Sequence, residues 1–265
     1  MRAMKLLVLS LVLTTLSLSA FAQSVEQAAE LYAKRGQDAS FAQQAADMYK
    51  TLASTSSDKF EKADLLSNAA KALFYVGTHT SNNGEKKSKH NDGMGAAIEA
   101  KDLLNYNPSE EKEKLALATA LYWYGANLGK WAEANGVASS LGRWPTLKNT
   151  MFKIRNLGQE KLEHYGANRI LGRAYYKLPF PLGSKKKAYS YLSEAVKETK
   201  EGNKVSVLGL NNLYLADLLV AIGKRSSAKE LLQAFVEADA ATLNPERVPE
   251  TLEEQEEARK KLERL

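Results

Sequence analysis

Residues 171–195, LGRAYYKLPFPLGSKKKAYSYLSEA, decide the fold. Leu171, Gly172 and Tyr175 fall on one helical segment, and Ala188, Leu192 and Ala195 fall on the next. Between them lies a Pro/Gly hinge, Pro179-Phe180-Pro181-Leu182-Gly183. Small residues at this spacing let two antiparallel helices approach closely, and the larger apolar ones fill the seam. That is the grammar of a tetratricopeptide (TPR) unit. A second copy follows in residues 215–235: Leu215, Ala216, Leu219, Gly223, then Ala228, Leu232 and Phe235. The step from Ala188 to Ala228 exceeds the roughly 34 residues of a regular TPR, so the repeats are divergent.

Working outward, residues 24–35 read as a first helix, with Val25, Ala28, Leu31 and Tyr32 on one stripe. Ser40-x-x-Gln43 has the form of a capping box opening a second helix, and residues 60–77 form a third. Residues 78–93, rich in Asn, Lys and Ser, read as an inserted surface loop. Ala96, Ala100 and Leu103 resume the pattern up to Asn107-Pro108, which offers an N-cap to a long aromatic helix at 109–135. Gly136 to Pro145 breaks the chain, a helix follows at 146–157, and Ser227-x-x-Glu230 offers a further capping box. Residues 248–265, acidic early and basic late, suit the helix dipole and read as a polar cap on a solenoid end. The expected fold is all-α, a TPR-like right-handed superhelix of antiparallel helix pairs forming one domain over residues 23–265.

Residues 1–22 stand apart. Arg2 and Lys5 form a positive start, an apolar run follows, and Ala20-Phe21-Ala22 matches a signal-peptidase site. The apolar run falls short of a membrane span of about 20 residues. The expectation is an exported, periplasmic protein without a transmembrane segment in its mature chain. Zero cysteines remove disulfides, thiol catalysis, thiolate metal sites and a lipobox anchor. Net charge falls from +6 to +4 when Arg2 and Lys5 are removed, which does not argue for nucleic acid.

The segments YWYGANLGKWAEANG (122–136), SLGRWPTLKNTMFKI (140–154) and YGANRILGRAYYKLPFPLGSKKKAYSYLSEAV (165–196) resemble the T-component family of TRAP transporters. More distantly, the LGRAYYKLP block is similar to the regulator-of-microtubule-dynamics proteins. The resemblance covers most of the mature chain. It implies a periplasmic helical-repeat protein that associates with a TRAP substrate-binding protein and holds an apolar small molecule or lipid. Because some members form trimers, it also implies a homo-oligomer. The missing lipobox cysteine departs from better-known members and puts membrane tethering in doubt.

Trp123, Trp131, Trp144 and Tyr176 are the aromatic candidates for a groove holding an apolar ligand or a partner's peptide; the alternative for each is interhelical packing. Arg143, Lys148, Arg169 and Arg173 are candidates to pair with a carboxylate on a ligand or partner. Arg173 leads that set because it follows the close approach at Gly172. The alternative is an interhelical salt bridge. His79, His90 and Asp92 lack a ligating spacing, so no metal and no cofactor are expected. No G-x-S-x-G elbow or phosphate-cradling glycine loop is present, so no enzyme is expected. The competing hydrolase reading needs paired carboxylates, and the acids gather at helix starts and in the C-terminal helix, away from the aromatic set. The alternative to the transport reading is a general periplasmic protein–protein scaffold for envelope assembly with no transport role.

Overall fold

The computed structural model describes residues 24–202 and 204–265; the expected signal peptide at 1–22 lies outside them. The described residues form twelve α-helices and no strand. These are α1 at 24–33, α2 (Ala39–Thr55), α3 (Lys59–His79), α4 (Asn83–Asp102), α5 (Glu111–Asn135) and α6 (Trp144–Asn156). They continue with α7 (Leu162–Lys177), α8 (Lys185–Glu198), α9 (Gly209–Ala221), α10 (Arg225–Glu237), α11 (Ala240–Leu243) and α12 (Val248–Leu262). Consecutive helices pack on one another, α2 on α3, α4 on α5, α7 on α8 and α9 on α10. The architecture is an all-α helical repeat. Among the described residues no helix is long and apolar enough to cross a membrane.

The α7/α8 seam follows the sequence grammar. Leu171, Ala188, Leu192 and Ala195 are fully buried. A Cβ on Gly172 would lie 2.6 Å from Leu192 Cγ and 3.3 Å from the Ala188 carbonyl, so only glycine lets α7 come this close. In the second copy Ala216, Ala228, Leu232 and Phe235 are buried in the same way.

Three expectations are corrected. Residues 83–93 are not a loop: they are the first half of α4. Asn82 caps its start by accepting from the Glu85 N–H at 3.0 Å. The buried stripe runs His90, Gly93, Ala97, Ala100 at helical spacing. Two of its members are a histidine and a glycine, so the stripe is invisible to a search for apolar periodicity. Second, the expected caps move. Asp38 caps α2 through the Ser40 N–H, α5 starts after Glu110 rather than at Asn107, and α10 starts at Arg225, before Ser227.

Third, α12 is not a cap over a free solenoid end. It packs on α10 and α9 and also reaches back to the N-terminal helices. Glu250 accepts from Arg35 Nε at 2.7 Å and Nη2 at 3.0 Å, and Glu253 lies 2.8 Å from His79 Nε2. The last helix therefore ties the two ends of the repeat array together.

Candidate functional site

A cavity of about 120 Å³, open to solvent, lies among α3, α5, α6, α7, α9 and the turn before α12. Helical spacing builds its walls. On α5, Trp123, Ala126, Lys130 and Glu133 recur every three or four residues and face inward. On α7, Arg169, Arg173 and Lys177 occupy successive turns, with Ile170 and Ala174 between them. Trp144 and Leu147 from α6, Phe74 from α3 and Tyr214 from α9 complete the aromatic and aliphatic surface.

Of the residues singled out from sequence, Trp123, Trp144, Arg143, Arg169 and Arg173 line this cavity, and Lys148 does not. Trp123 is 4% exposed and Trp144 7%, so the alternatives of core and groove merge. Each is buried in the helix array yet forms an interior wall. Phe74 meets Trp123 edge-on at 5.7 Å, and Trp144 meets Tyr175 edge-on at 5.0 Å, which holds the rings in place. Trp131 and Tyr176 are partly buried against the core but are not among the lining residues. Each lies next to a lining position, and about 100° of helical rotation per residue turns it aside. Trp131 instead has Arg143 5.9 Å from its ring centroid, and Tyr176 has Lys177 at 5.4 Å.

The arginines separate by what neutralises them. Arg173 donates to Glu133 Oε1 at 3.1 Å and to Asp217 Oδ2 at 3.0 Å, so its charge is matched twice. Burial would raise Glu133, but Lys130 and Arg173 hold it below the usual carboxylate range. Arg169 is different. It is 5% exposed, yet its hydrogen-bond partners are all neutral. Nη2 donates to the Tyr122 hydroxyl at 2.6 Å. Nη1 donates to Asn211 Oδ1 at 3.2 Å and to the Glu163 and His164 carbonyls at 3.1 and 3.4 Å. Among the described residues Arg169 forms no ion pair. Burial pushes the Tyr122 phenol up, so it stays protonated at neutral pH.

Those two carbonyls belong to a left-handed turn. Glu163, His164 and Tyr165 have φ of 49°, 54° and 60° at the start of α7. Each non-glycine residue there costs about 1–2 kcal/mol. Arg169, together with Asn211 Nδ2 donating to the His164 carbonyl at 3.1 Å, holds the turn in place.

No acid of α12 lines the cavity, but one of them, Glu254, pairs with a residue that does. Arg247, a lining residue, donates to Glu254 at 3.3 Å, and Glu254 is buried against α9. Burial pushes Glu254 up to about 7, against the pull of Arg247. Arg247 Nε and Glu254 Oε2 are buried without hydrogen-bond partners. These residues escaped sequence reasoning because they are brought to the cavity by the fold-back of α12, which no local pattern encodes.

His79, His90 and Asp92 do not converge. His79 joins Glu253, whereas His90 is fully buried between Gly77 and Asn127. Asn127 donates through Nδ2 to the Ala70 and Trp123 carbonyls, which leaves Oδ1 to accept from His90 Nδ1 at 3.1 Å. His90 is thereby fixed as the neutral Nδ1–H tautomer, and burial lowers its pKa to about 4.

No protein-family model matches the chain, and no curated protein matches it.

Proposed function

We propose that the chain is a non-enzymatic, exported binding protein that holds an apolar small molecule or lipid in the aromatic cavity and docks a protein partner. The observation that carries this reading is the cavity itself. Two buried tryptophans, a phenylalanine and several aliphatic side chains line a space open to solvent, and water there forgoes hydrogen bonds that an apolar occupant does not need. The resemblance to TRAP T-components supports a periplasmic substrate-binding protein as the partner and a role in transport. The structural side of the test is native mass spectrometry of protein purified from the periplasm, which reads bound molecule and oligomer together. A mass adduct that is released on unfolding, and is lost when Ala126→Trp fills the cavity, is the expected result. A bare chain in every preparation contradicts ligand storage.

One observation favours the general-scaffold reading as a second line. Phe180, in the α7–α8 hinge, is 93% exposed, and Leu182 and Tyr189 nearby are exposed as well. An apolar ring held in water costs solvation that a partner's surface would recover. Docking through Phe180 serves either a transporter component or another envelope protein. Co-purification with a TRAP substrate-binding protein, against its absence, separates the two.

A further inference from the structure

We infer that the cavity is built for an amphiphile with a carboxylate head, seated head-first against Arg169 and Arg247. The inference rests on the reading of the cavity as a ligand site and adds its chemistry. Three observations carry it.

The first is the polarity along α7. Arg169, Arg173 and Lys177 span about 12 Å at 1.5 Å per residue. Their exposure rises in that order, from buried through half-buried to exposed. The cavity therefore has a closed end at Arg169 and a mouth at Lys177, beside the exposed Arg143.

The second is the charge at the closed end. Buried cations are ordinarily paired, because removing a charge from water costs far more than neutral hydrogen bonds return. Arg173, midway along the wall, has two carboxylates; Arg169 has none. Arg247 Nε, at the same cavity, is buried without a hydrogen-bond partner. A buried cation without an ion pair and an unpartnered guanidinium donor thus line one cavity, where a carboxylate would match the charge of the first and accept from the second. Glu254, beside Arg247 and within the field of Arg169, is the carboxyl that faces both guanidinium groups, and burial pushes it up to about 7, so it offsets them only in part.

The third is the surface between. Trp123, Leu147, Ile170 and Leu208 present a largely apolar face, and the charges on the same wall, Lys130, Glu133 and Arg173, are matched to one another, which suits an aliphatic or aromatic body. A neutral lipid would fill the wall but leave Arg169 uncompensated. A cationic amphiphile would place like charge beside it.

Three probes with the same tail and different heads test this: dodecanoate, dodecanol and dodecylammonium, titrated below their aggregation thresholds into the full mature protein. Dodecanoate is expected to bind about ten-fold or more tightly than dodecanol, with dodecylammonium weakest, since a charge-assisted hydrogen bond is strong in a dry site. In Arg169→Gln the dodecanoate advantage is expected to collapse. Should that variant fail to fold, because Arg169 also holds the left-handed turn, Arg247→Gln is expected to reduce the advantage several-fold. Equal, saturable binding of dodecanoate and dodecanol overturns the carboxylate inference and leaves the apolar cavity standing. No saturable binding by any probe overturns both. A preference abolished by Arg143→Gln at the mouth, but intact in Arg169→Gln, overturns the placement of the head group.

Discussion

Arg35 and Glu250, 215 positions apart, meet in a buried two-point ion pair, with Nε–Oε1 at 2.7 Å and Nη2–Oε2 at 3.0 Å. The fork geometry satisfies both carboxylate oxygens, and Arg35 also donates to the Tyr32 and Glu246 carbonyls. Removing one partner strands the other charge in the interior. Arg35→Ala is expected to cost about 3–5 kcal/mol of unfolding free energy by urea titration. Replacing both residues by apolar ones is expected to cost much less than the sum of the single changes. Additive losses would mean that the pair does not couple the chain ends.

The α7/α8 seam offers a steric test. Gly172→Ala places a methyl 2.6 Å from Leu192 Cγ, so the helices must part or Leu192 must leave its rotamer. A loss of about 1–3 kcal/mol is expected. The double change with Leu192→Ala is expected to recover part of it. No loss in the single variant would show that the seam is slack.

Two buried groups give opposite pH slopes. His90 titrates near 4 in the folded chain and near 6.5 when unfolded, so as pH falls the unfolded chain takes up its proton first. Its contribution is fully present above about 6.5 and is lost toward 4, by about 1.4 kcal/mol per pH unit at the steepest. Glu254 titrates near 7 folded and near 4.5 unfolded, so its contribution is present below 4.5 and is lost as pH rises through 7. Between 4.5 and 6.5 the two slopes oppose and flatten the wild-type profile. Urea midpoints across this range are expected to fall on acidification more steeply in Glu254→Gln, and less steeply in His90→Gln, than in the wild type. Three parallel profiles would refute the assigned protonation states.

Phe180 packs on nothing that its 93% exposure would reveal as structural. Phe180→Ala is therefore expected to change stability by less than about 0.5 kcal/mol. It is also expected to weaken capture of a TRAP substrate-binding protein, measured by surface-immobilised binding of the two purified proteins. A variant that unfolds would return Phe180 to the core, and unaltered capture would remove it from the docking surface.

How much of this was written locally can be judged residue by residue. Gly172 with Leu192, and Ala228 with Phe235, announce their seams because small and large apolar residues alternate at helical spacing within one short segment. The aromatic wall was legible for the same reason, since Trp123 and Trp144 are rare and sit on helical stretches. Which way each ring points was not legible, and Trp131 and Tyr176 turn aside by one helical step. The first half of α4 hid because its buried positions are His90 and Gly93, whose burial depends on Asn127 across the interface. The cationic closed end hid more completely. Arg169 and Asn211 come together only when α9 packs against α7, Arg247 reaches the same cavity from the turn before α12, and the sequence pattern favours Arg173, whose two carboxylate partners make it a structural ion pair.

The occupancy of the cavity can be read from its own walls. In Trp131→Phe the two remaining tryptophans, Trp123 and Trp144, both line the cavity, and a bromine atom quenches indole fluorescence only at close range. Titrating this variant with 12-bromododecanoate is expected to quench its emission saturably, with dodecanoate competing the quencher away. Emission that declines linearly without saturation, or quenching that was present in the wild type and vanishes with Trp131, would contradict a ligand seated between Trp123 and Trp144.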